Sequence, residues 1–441
     1  MTHTPVTIIG GGLAGSEAAW QLLKRGHTVH LYEMKPQRFS AAHTSERLAE
    51  LVCSNSFKSN DPESAPGLLK NEMRRLDSLI VDAADRTSVP AGTALAVDRA
   101  EFSHLVEKRL LEQDRFKLIR LELGSIPREG PVIVATGPLT SDAMAQSISA
   151  LLGSPYLYFY DAIAPIVEAE SIDMDKVYLA SRYDKGTADY LNCPLTKTEY
   201  KSFRSELLAG EKVTPRTFES TKHFEGCLPI EVLAARGEET LAFGPLKPVG
   251  LVNPYTNTLP YAVVQLRREN ASGALFNLVG FQTRLTWPEQ KRIFRMIPGL
   301  ENAEFARLGS IHRNTYIHSP SLLSTLLHLK AYPEIYFAGQ ITGVEGYMES
   351  AATGLLAGLG VSFYLENKKF IPPPPSTAMG ALVHYVTSPE AAKHFQPMNI
   401  NFGIIDRPTD KKVRKKDRHR LIAGHACSSF TSWLGSLDAP R

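Results

Sequence analysis

An α/β fold, built on a parallel sheet that a second α/β domain interrupts, is predicted by three observations. Val6-Thr7-Ile8-Ile9 is a short β-branched run that opens directly into Gly10-Gly11-Gly12-Leu13-Ala14-Gly15. Val132-Ile133-Val134-Ala135-Thr136-Gly137 repeats the pattern of a buried strand ending in a small-residue turn. Ile335-Tyr336-Phe337-Ala338-Gly339-Gln340 does so again near the end of the chain.

The first unit is the most specific. Gly10, Gly12 and Gly15 stand at G-x-G-x-x-G spacing between a strand and a helix. Gly10 permits the tight turn, Gly12 lets the backbone approach a pyrophosphate, and Gly15 lets helix and strand pack closely. The helix carries Ala18, Ala19, Leu22 and Leu23 on one face and ends at Gly26, the place of a C-terminal cap. Its free N–H groups and dipole suit phosphate. The next strand, His27 to Tyr32, turns Val29 and Leu31 inward and ends at Glu33, whose carboxylate can accept both ribose hydroxyls. This is a Rossmann-type dinucleotide site of the glutathione-reductase-like kind, and its place at the N-terminus points to FAD. Glu33 would repel a 2′-phosphate, which disfavours NADP in this pocket.

The remaining elements follow in order. Arg99, Phe102 and Leu105 fall on an amphipathic segment after Val97-Asp98. The division expected is a first part of the FAD-binding domain at 1–150, an inserted domain at 151–324 facing substrate, a second part of the FAD-binding domain at 325–370, and an extension at 371–441. No second glycine fingerprint lies in the insert. Ser350, Ala351, Gly354 and Ala357 open a tightly packed helix whose N-terminus could face the flavin. Pro372 to Pro375 read as a stiff spacer, and the chain beyond as an appendage.

At 441 residues the chain has room for two or three domains, and 43% hydrophobic with 22% charged residues is ordinary for a globular protein. Gly343 to Leu365, the best membrane-span candidate, is broken by Glu345 and Glu349. No secretory signal precedes the first strand. Four cysteines, Cys53, Cys193, Cys227 and Cys427, are too widely spaced for a zinc ribbon. No metal site is expected, and a cytoplasmic protein with free thiols is the simplest reading. The net charge of +3 is small, but Lys411, Lys412, Arg414, Lys415, Lys416, Arg418 and Arg420 crowd together. That run is either solvated surface or a patch that tracks nucleic-acid phosphate.

Ala338-Gly339-Gln340 through Gly354 resembles the flavin-contacting motif of the GidA group of tRNA-modifying flavoproteins. Together with Cys53-Ser54-Asn55-Ser56-Phe57-Lys58-Ser59, Phe224-Glu225-Gly226-Cys227-Leu228-Pro229-Ile230-Glu231 and Pro397-Met398-Asn399-Ile400-Asn401-Phe402-Gly403, it is similar to the folate- and FAD-dependent tRNA (uracil-5-)-methyltransferases, the TrmFO family. The resemblance runs from Val6 to Gly403. It implies a cytoplasmic enzyme that takes a methylene from 5,10-methylenetetrahydrofolate, reduces it with electrons from NAD(P)H through FAD, and places it on carbon 5 of the T-loop uridine of tRNA. It implies no membrane and no obligatory protein partner. It places Cys227 as nucleophile and Cys53 as the second catalytic thiol. The cofactor residues it marks, with the fingerprint, are Gly10, Gly11, Gly12, Leu13, Ala14, Gly15, Glu33, Gly339, Gly346, Tyr347 and Met348.

Several assignments stay open in the sequence. Tyr347 lies against flavin or pterin, or is packing. His312, Arg313 and Tyr316 contact folate or RNA phosphate, or form a surface loop. Arg204, Arg216, Lys222 and Arg284 are candidates for folate's anionic tail. Lys58 adjoins Cys53 in sequence, and Lys222 and His223 precede Cys227; a cation beside either sulfur would favour thiolate. Cys193 and Cys427 read as structural. The rival functions are a GidA-like modification of the wobble uridine, a small-molecule NAD(P)H flavin oxidoreductase, and a non-enzymatic RNA-binding protein.

Overall fold

A computed structural model describes residues 4–153, 157–184, 187–213, 228–407 and 417–437, without the side chains of 157–162, 184, 311–313 and 394. Five parallel strands form the first sheet, in the order Ile335–Phe337, Val132–Val134, Val6–Ile9, Val29–Glu33, Phe116–Arg120. The fingerprint strand is therefore central. Val6, Ile8, Val29, Leu31 and Val132 to Val134 are wholly buried, as β-branched and aliphatic runs covered on both faces must be.

Helix Leu13–Lys24 lies against helix Tyr347–Leu365. Their backbones approach so closely that a Cβ on Gly354 would overlap the Ala14 carbonyl, and one on Gly358 would stand 2.9 Å from the Ala18 oxygen. The run of small residues is thus explained by packing of the two helices across the cofactor end of the sheet.

The chain leaves this sheet after helix Asp142–Leu152 and returns at Ile335–Phe337. Between them, an antiparallel pair of Leu157–Ala162 with Ile311–Tyr316 leads to a six-stranded antiparallel sheet. Its order is Tyr178–Ala180, Tyr190–Leu195, Ala262–Arg268, Leu275–Leu278, Ile166–Glu168, Phe305–Arg307. One face bears Leu191, Cys193, Val264, Leu266, Phe276 and Leu278, which pack with Tyr200, Phe203, Phe281 and Phe294 into a separate core. Burial pushes the Cys193 thiol well above the usual range, in keeping with a structural residue. The other face carries Asn192, Gln265, Arg267 and Asn277, all nearly buried.

The segment after Pro375 is not an appendage, contrary to expectation. Helix Ala378–Thr387 is buried in the main core with Phe395, Ile400 and Ile405. Its first turn is anchored by the buried Glu72 carboxylate, which accepts Ala378 N and Met379 N, each at 2.8 Å. Helix Arg418–Leu437 adds Phe430 and Trp433 to the same core, and Trp433 Nε1 donates to Ile371 O at 2.8 Å. The apolar run Ala378-Met379-Gly380-Ala381-Leu382-Val383 carried the signal of a buried helix, and the proline run before it masked that signal. Of the basic run, 411–416 lie outside the described residues. No helix among the described residues is long and apolar enough to cross a membrane.

Glu72→Ala strips the acceptor from two buried N–H groups. We predict a loss of roughly 2–4 kcal/mol in denaturant unfolding, against a near-neutral result if the C-terminal region were only loosely attached.

Candidate functional site

A cleft opens at the carboxyl ends of the parallel strands. Its wall is built from the turn Gly10–Ala14, the strand end at Tyr32–Lys35, the turn Ala135–Ser141, and Gly339, Gln340, Tyr347 and Ser350. Each glycine of the fingerprint has a distinct reason. Gly10 has φ +103°, and a Cβ there would sit 2.5 Å from the Ala135 carbonyl oxygen. A Cβ on Gly15 would overlap the Gly10 carbonyl. Around the Cβ position of Gly12 nothing lies within 4 Å. That is the cradle a pyrophosphate needs.

Glu33 is nearly buried in the cleft wall. Gly11 N donates to its Oε2 at 2.8 Å and Lys35 N to its Oε1 at 3.0 Å. Both oxygens keep a lone pair for hydroxyl donors. Lys35, His43 and Glu50 line the same end, with Lys35 Nζ 3.4 Å from Glu50. Burial, then Lys35, pushes the His43 imidazole below its usual range. The donor set fits a dinucleotide whose ribose meets a carboxylate and whose phosphates meet glycine N–H groups.

Tyr347 joins this cleft to the Cys53 loop. Its ring packs edge-on against Phe57, with centroids 5.8 Å apart. Its hydroxyl oxygen accepts Cys53 N at 2.7 Å and Ser54 N at 3.1 Å. Burial, and after it the Cys53 thiol, pushes the phenol well above its usual range, so it remains a neutral hydroxyl. The loop is held from other sides as well. Arg267, from the polar face of the second sheet, donates through Nη2 to Ser54 Oγ at 2.7 Å and through Nε to Asn55 Oδ1 at 3.0 Å. Arg99 donates to Leu51 O at 2.5 Å and Cys53 O at 3.4 Å, and is ion-paired with the buried Glu269. Cys53 itself is half-buried. The Cys53 loop is thus held between Tyr347 of the cleft wall and Arg267 of the second sheet.

Three of the four segments that carry the family resemblance converge on Glu349. Its Oε1 accepts Lys58 Nζ at 3.0 Å and Ile400 N at 3.2 Å, and Met398 N donates to Gly343 O at 3.0 Å. Lys58 is therefore committed to Glu349.

Of the cofactor residues expected from sequence, Gly10, Gly11, Gly12, Leu13, Ala14, Glu33, Gly339 and Tyr347 line the cleft. Gly15, Gly346 and Met348 are placed elsewhere. Gly15 is a packing contact, Gly346 precedes the first helical residue with φ +117°, and Met348 is buried in the main core. Cys227, Arg216, Lys222 and His223 lie outside the described residues. Arg204 is spent on the Ala234 carbonyl, at 3.1 and 2.9 Å, and Arg284 stands 3.5 Å from Glu231. Tyr316 is buried against Phe395 rather than in a surface loop. Sequence reasoning missed Lys35, His43, Glu50 and Arg267. The strict alternation of Val264-Gln265-Leu266-Arg267 was a signal, since it marks a polar sheet face.

Fold and cleft define a Rossmann-type dinucleotide-binding protein with a thiol loop at the edge of its cofactor site. A family profile described as Glucose inhibited division protein A matches residues 5–369, and the chain belongs to that family, the GidA family. Curated relatives include the Methylenetetrahydrofolate--tRNA-(uracil-5-)-methyltransferase TrmFO of Syntrophus aciditrophicus, 60% identical over 435 residues, covering 98% of each chain. The protein of the same name from Geobacter sulfurreducens is 57% identical over 98% of this chain and 99% of its own. Among solved structures, Aquifex aeolicus GidA in its form II crystal superposes with TM-score 0.68 at 15% identity, over 98% of this chain and 76% of that one. That match is to the fold.

Gly12→Val and Gly15→Val should separate binding from folding. Gly12→Val is expected to cut dinucleotide content at least ~10-fold while the melting temperature of the ligand-free protein stays within about 2 °C. Gly15→Val, forced against backbone, should lower stability by roughly 1–3 kcal/mol. Flavin absorbance and thermal unfolding of both variants check this.

Proposed function

We propose that the chain is a methylenetetrahydrofolate-dependent tRNA (uracil-5-)-methyltransferase that makes 5-methyluridine in the T-loop, with FAD bound in the cleft and NAD(P)H as reductant, in the cytoplasm. The observation that carries the reading is the Tyr347 bridge: one side chain lines the dinucleotide cleft and holds the backbone of a cysteine. Full-length identity of 57–60% to proteins named for this activity supports it.

Carbon 5 of uracil is a poor nucleophile, so the chemistry begins with a thiolate. Family resemblance gives that role to Cys227. Its sulfur adds to carbon 6, and the electron pair released onto carbon 5 forms the bond to the methylene carbon of the folate donor. The proton on carbon 5 must then leave to a base, a role the resemblance gives to Cys53. Loss of that proton and release from the carrier leave an exocyclic methylene, which two electrons and a proton convert to methyl as the Cys227 bond breaks. FAD, when bound, supplies that two-electron reduction. Gly10 to Ala14 would hold its pyrophosphate and Glu33 its ribose. The N-terminus of helix Tyr347–Leu365, which meets the cleft at Tyr347 and Ser350, presents a positive dipole end to the flavin. The Tyr347 hydroxyl, which holds the Cys53 backbone, would set that backbone beside a flavin bound in the cleft.

The test is to mix the purified protein with unmodified tRNA, methylenetetrahydrofolate and NADPH, digest with nuclease, and weigh the nucleosides. The expected product is one added methyl on the T-loop uridine, absent without folate. A modified wobble uridine, or NADPH oxidation indifferent to tRNA and folate, would move the assignment to one of the rival flavoprotein activities. Cys227→Ala should retain flavin and lose methyl transfer at least ~100-fold, and full activity in that variant would remove Cys227 from the mechanism.

A further inference from the structure

The Glu33 end of the cleft is roofed by chain that crosses the sheet. Strands Val132–Val134 and Phe116–Arg120 are separated by the two strands that carry the glycine turn and Glu33. At about 4.8 Å per strand, their carboxyl ends stand roughly 14 Å apart. The segments that leave them nonetheless meet. A Cβ on Gly124, after Arg120, would lie 3.5 Å from the Cβ of Ala143, in the first turn of helix Asp142–Leu152. Ile126 N donates to Ser147 Oγ of the same helix at 3.3 Å. Leu121 and Leu123 on one side, with Ser141 and Met144 on the other, line the cleft together with Gly12 and Glu33. Leu121 is 45% exposed there, apolar surface of the kind a planar purine covers.

Arg38 ties in a third segment, the one that follows strand Val29–Glu33. Its Nη1 donates to both carboxylate oxygens of Glu122, at 2.8 and 3.0 Å, and its Nη2 stands 3.9 Å from Asp142 Oδ2. Beside it, Gln37 Nε2 donates to Arg120 O at 2.7 Å. Arg38 is about half exposed and Asp142 is almost wholly exposed, so this clasp stands on the solvent side of the rim. Among the described residues, no backbone-to-backbone hydrogen bond joins 121–126 to 140–147. A roof held by side chains can part while the sheet beneath stays intact.

We propose that this roof is the cofactor gate: segment 121–126 and the start of helix Asp142–Leu152 must part for FAD to enter or leave, and the Arg38 clasp holds them together. FAD as the occupant is taken from the functional reading above, and nothing else of that reading enters. An FAD whose ribose meets Glu33 has its adenosine half beneath the roof. It is then a resident group, retained over many turnovers, and not a substrate exchanged at each one. A gate of this kind slows entry and exit alike and leaves the affinity nearly unchanged.

The test locks the roof. A Cβ-to-Cβ separation of 3.5 Å suits a disulfide, and Gly124 lies outside the left-handed region, so Gly124→Cys with Ala143→Cys can be crosslinked. The full-length double variant is loaded with isotope-labelled FAD and oxidised with oxidised glutathione, which accepts the two electrons of the thiols. It is then chased with excess unlabelled FAD, and uptake is followed separately from the flavin-free form. Release and uptake should both slow at least ~10-fold, with affinity within about 3-fold, and dithiothreitol should restore both rates. Wild-type protein under the same oxidant is the reference. Unchanged rates in protein shown by mass spectrometry to carry the crosslink overturn the gate, as does slowed release with unchanged uptake. If the double variant does not load flavin or does not crosslink, Arg38→Ala decides. Release and uptake faster by roughly 2- to 5-fold support the gate, and unchanged rates overturn it. Gated FAD in a protein that methylates no tRNA would refute only the functional reading. Ungated exchange in a protein that does methylate tRNA would refute only the gate.

Discussion

The phenolic oxygen of Tyr347 is the point on which the arrangement turns. It accepts two consecutive backbone N–H groups, those of Cys53 and Ser54, while its ring forms part of the cleft wall. Each donor would otherwise be left without this acceptor in a partly buried place, at a cost of roughly 1–3 kcal/mol. A thiol loop that precedes a short antiparallel strand is thereby fixed to the first residue of the helix packed on the fingerprint helix. Gly354 and Gly358 set how near those two helices stand. Through them the position of the sulfur is tied to the glycine turn that cradles a pyrophosphate.

The second sheet contributes a polar face where an isolated domain would show solvent. Arg267 binds the Cys53 loop, and Glu269 neutralises Arg99 from the first unit. Charged groups buried at such a junction are retained only when each finds a partner across it. The second sheet therefore meets the first unit through an ion pair and hydrogen bonds, and keeps its own apolar core on its other face. The C-terminal segment closes the assembly from below. Ile400 N reaches the same Glu349 carboxylate as Lys58, so residues more than three hundred apart in sequence share one buried anion.

The sequence made the cofactor half legible because backbone constraints there leave a residue signature. Gly10 and Gly15 are forced by contacts that no side chain permits, Gly12 keeps the cradle open, and Glu33 closes a strand of readable alternation. The thiol environment was less readable. Arg99 and Arg267 belong to a helix and a strand far apart in sequence, and only the tertiary fold brings their side chains to one loop. Lys58, the cation nearest in sequence to Cys53, serves Glu349 instead. Met348 follows Tyr347 directly yet faces the core, because adjacent helical residues point about 100° apart. The C-terminal region misled for a related reason. Its proline run suggested separation, but Pro373 and Pro374 carbonyls pack onto Gly380 and lead straight into a buried helix.

The most direct test of the Tyr347 bridge is amide hydrogen exchange at Cys53 and Ser54 in flavin-loaded Tyr347→Phe, compared with the wild type. The variant keeps the ring and its contact with Phe57 and removes only the acceptor oxygen. Exchange at these two amides should quicken roughly 5- to 100-fold, the equivalent of about 1–3 kcal/mol, with the rest of the parallel-sheet domain unchanged. Unaltered protection at both amides would contradict the account, since the thiol loop would then be held to the cleft by something other than the Tyr347 hydroxyl.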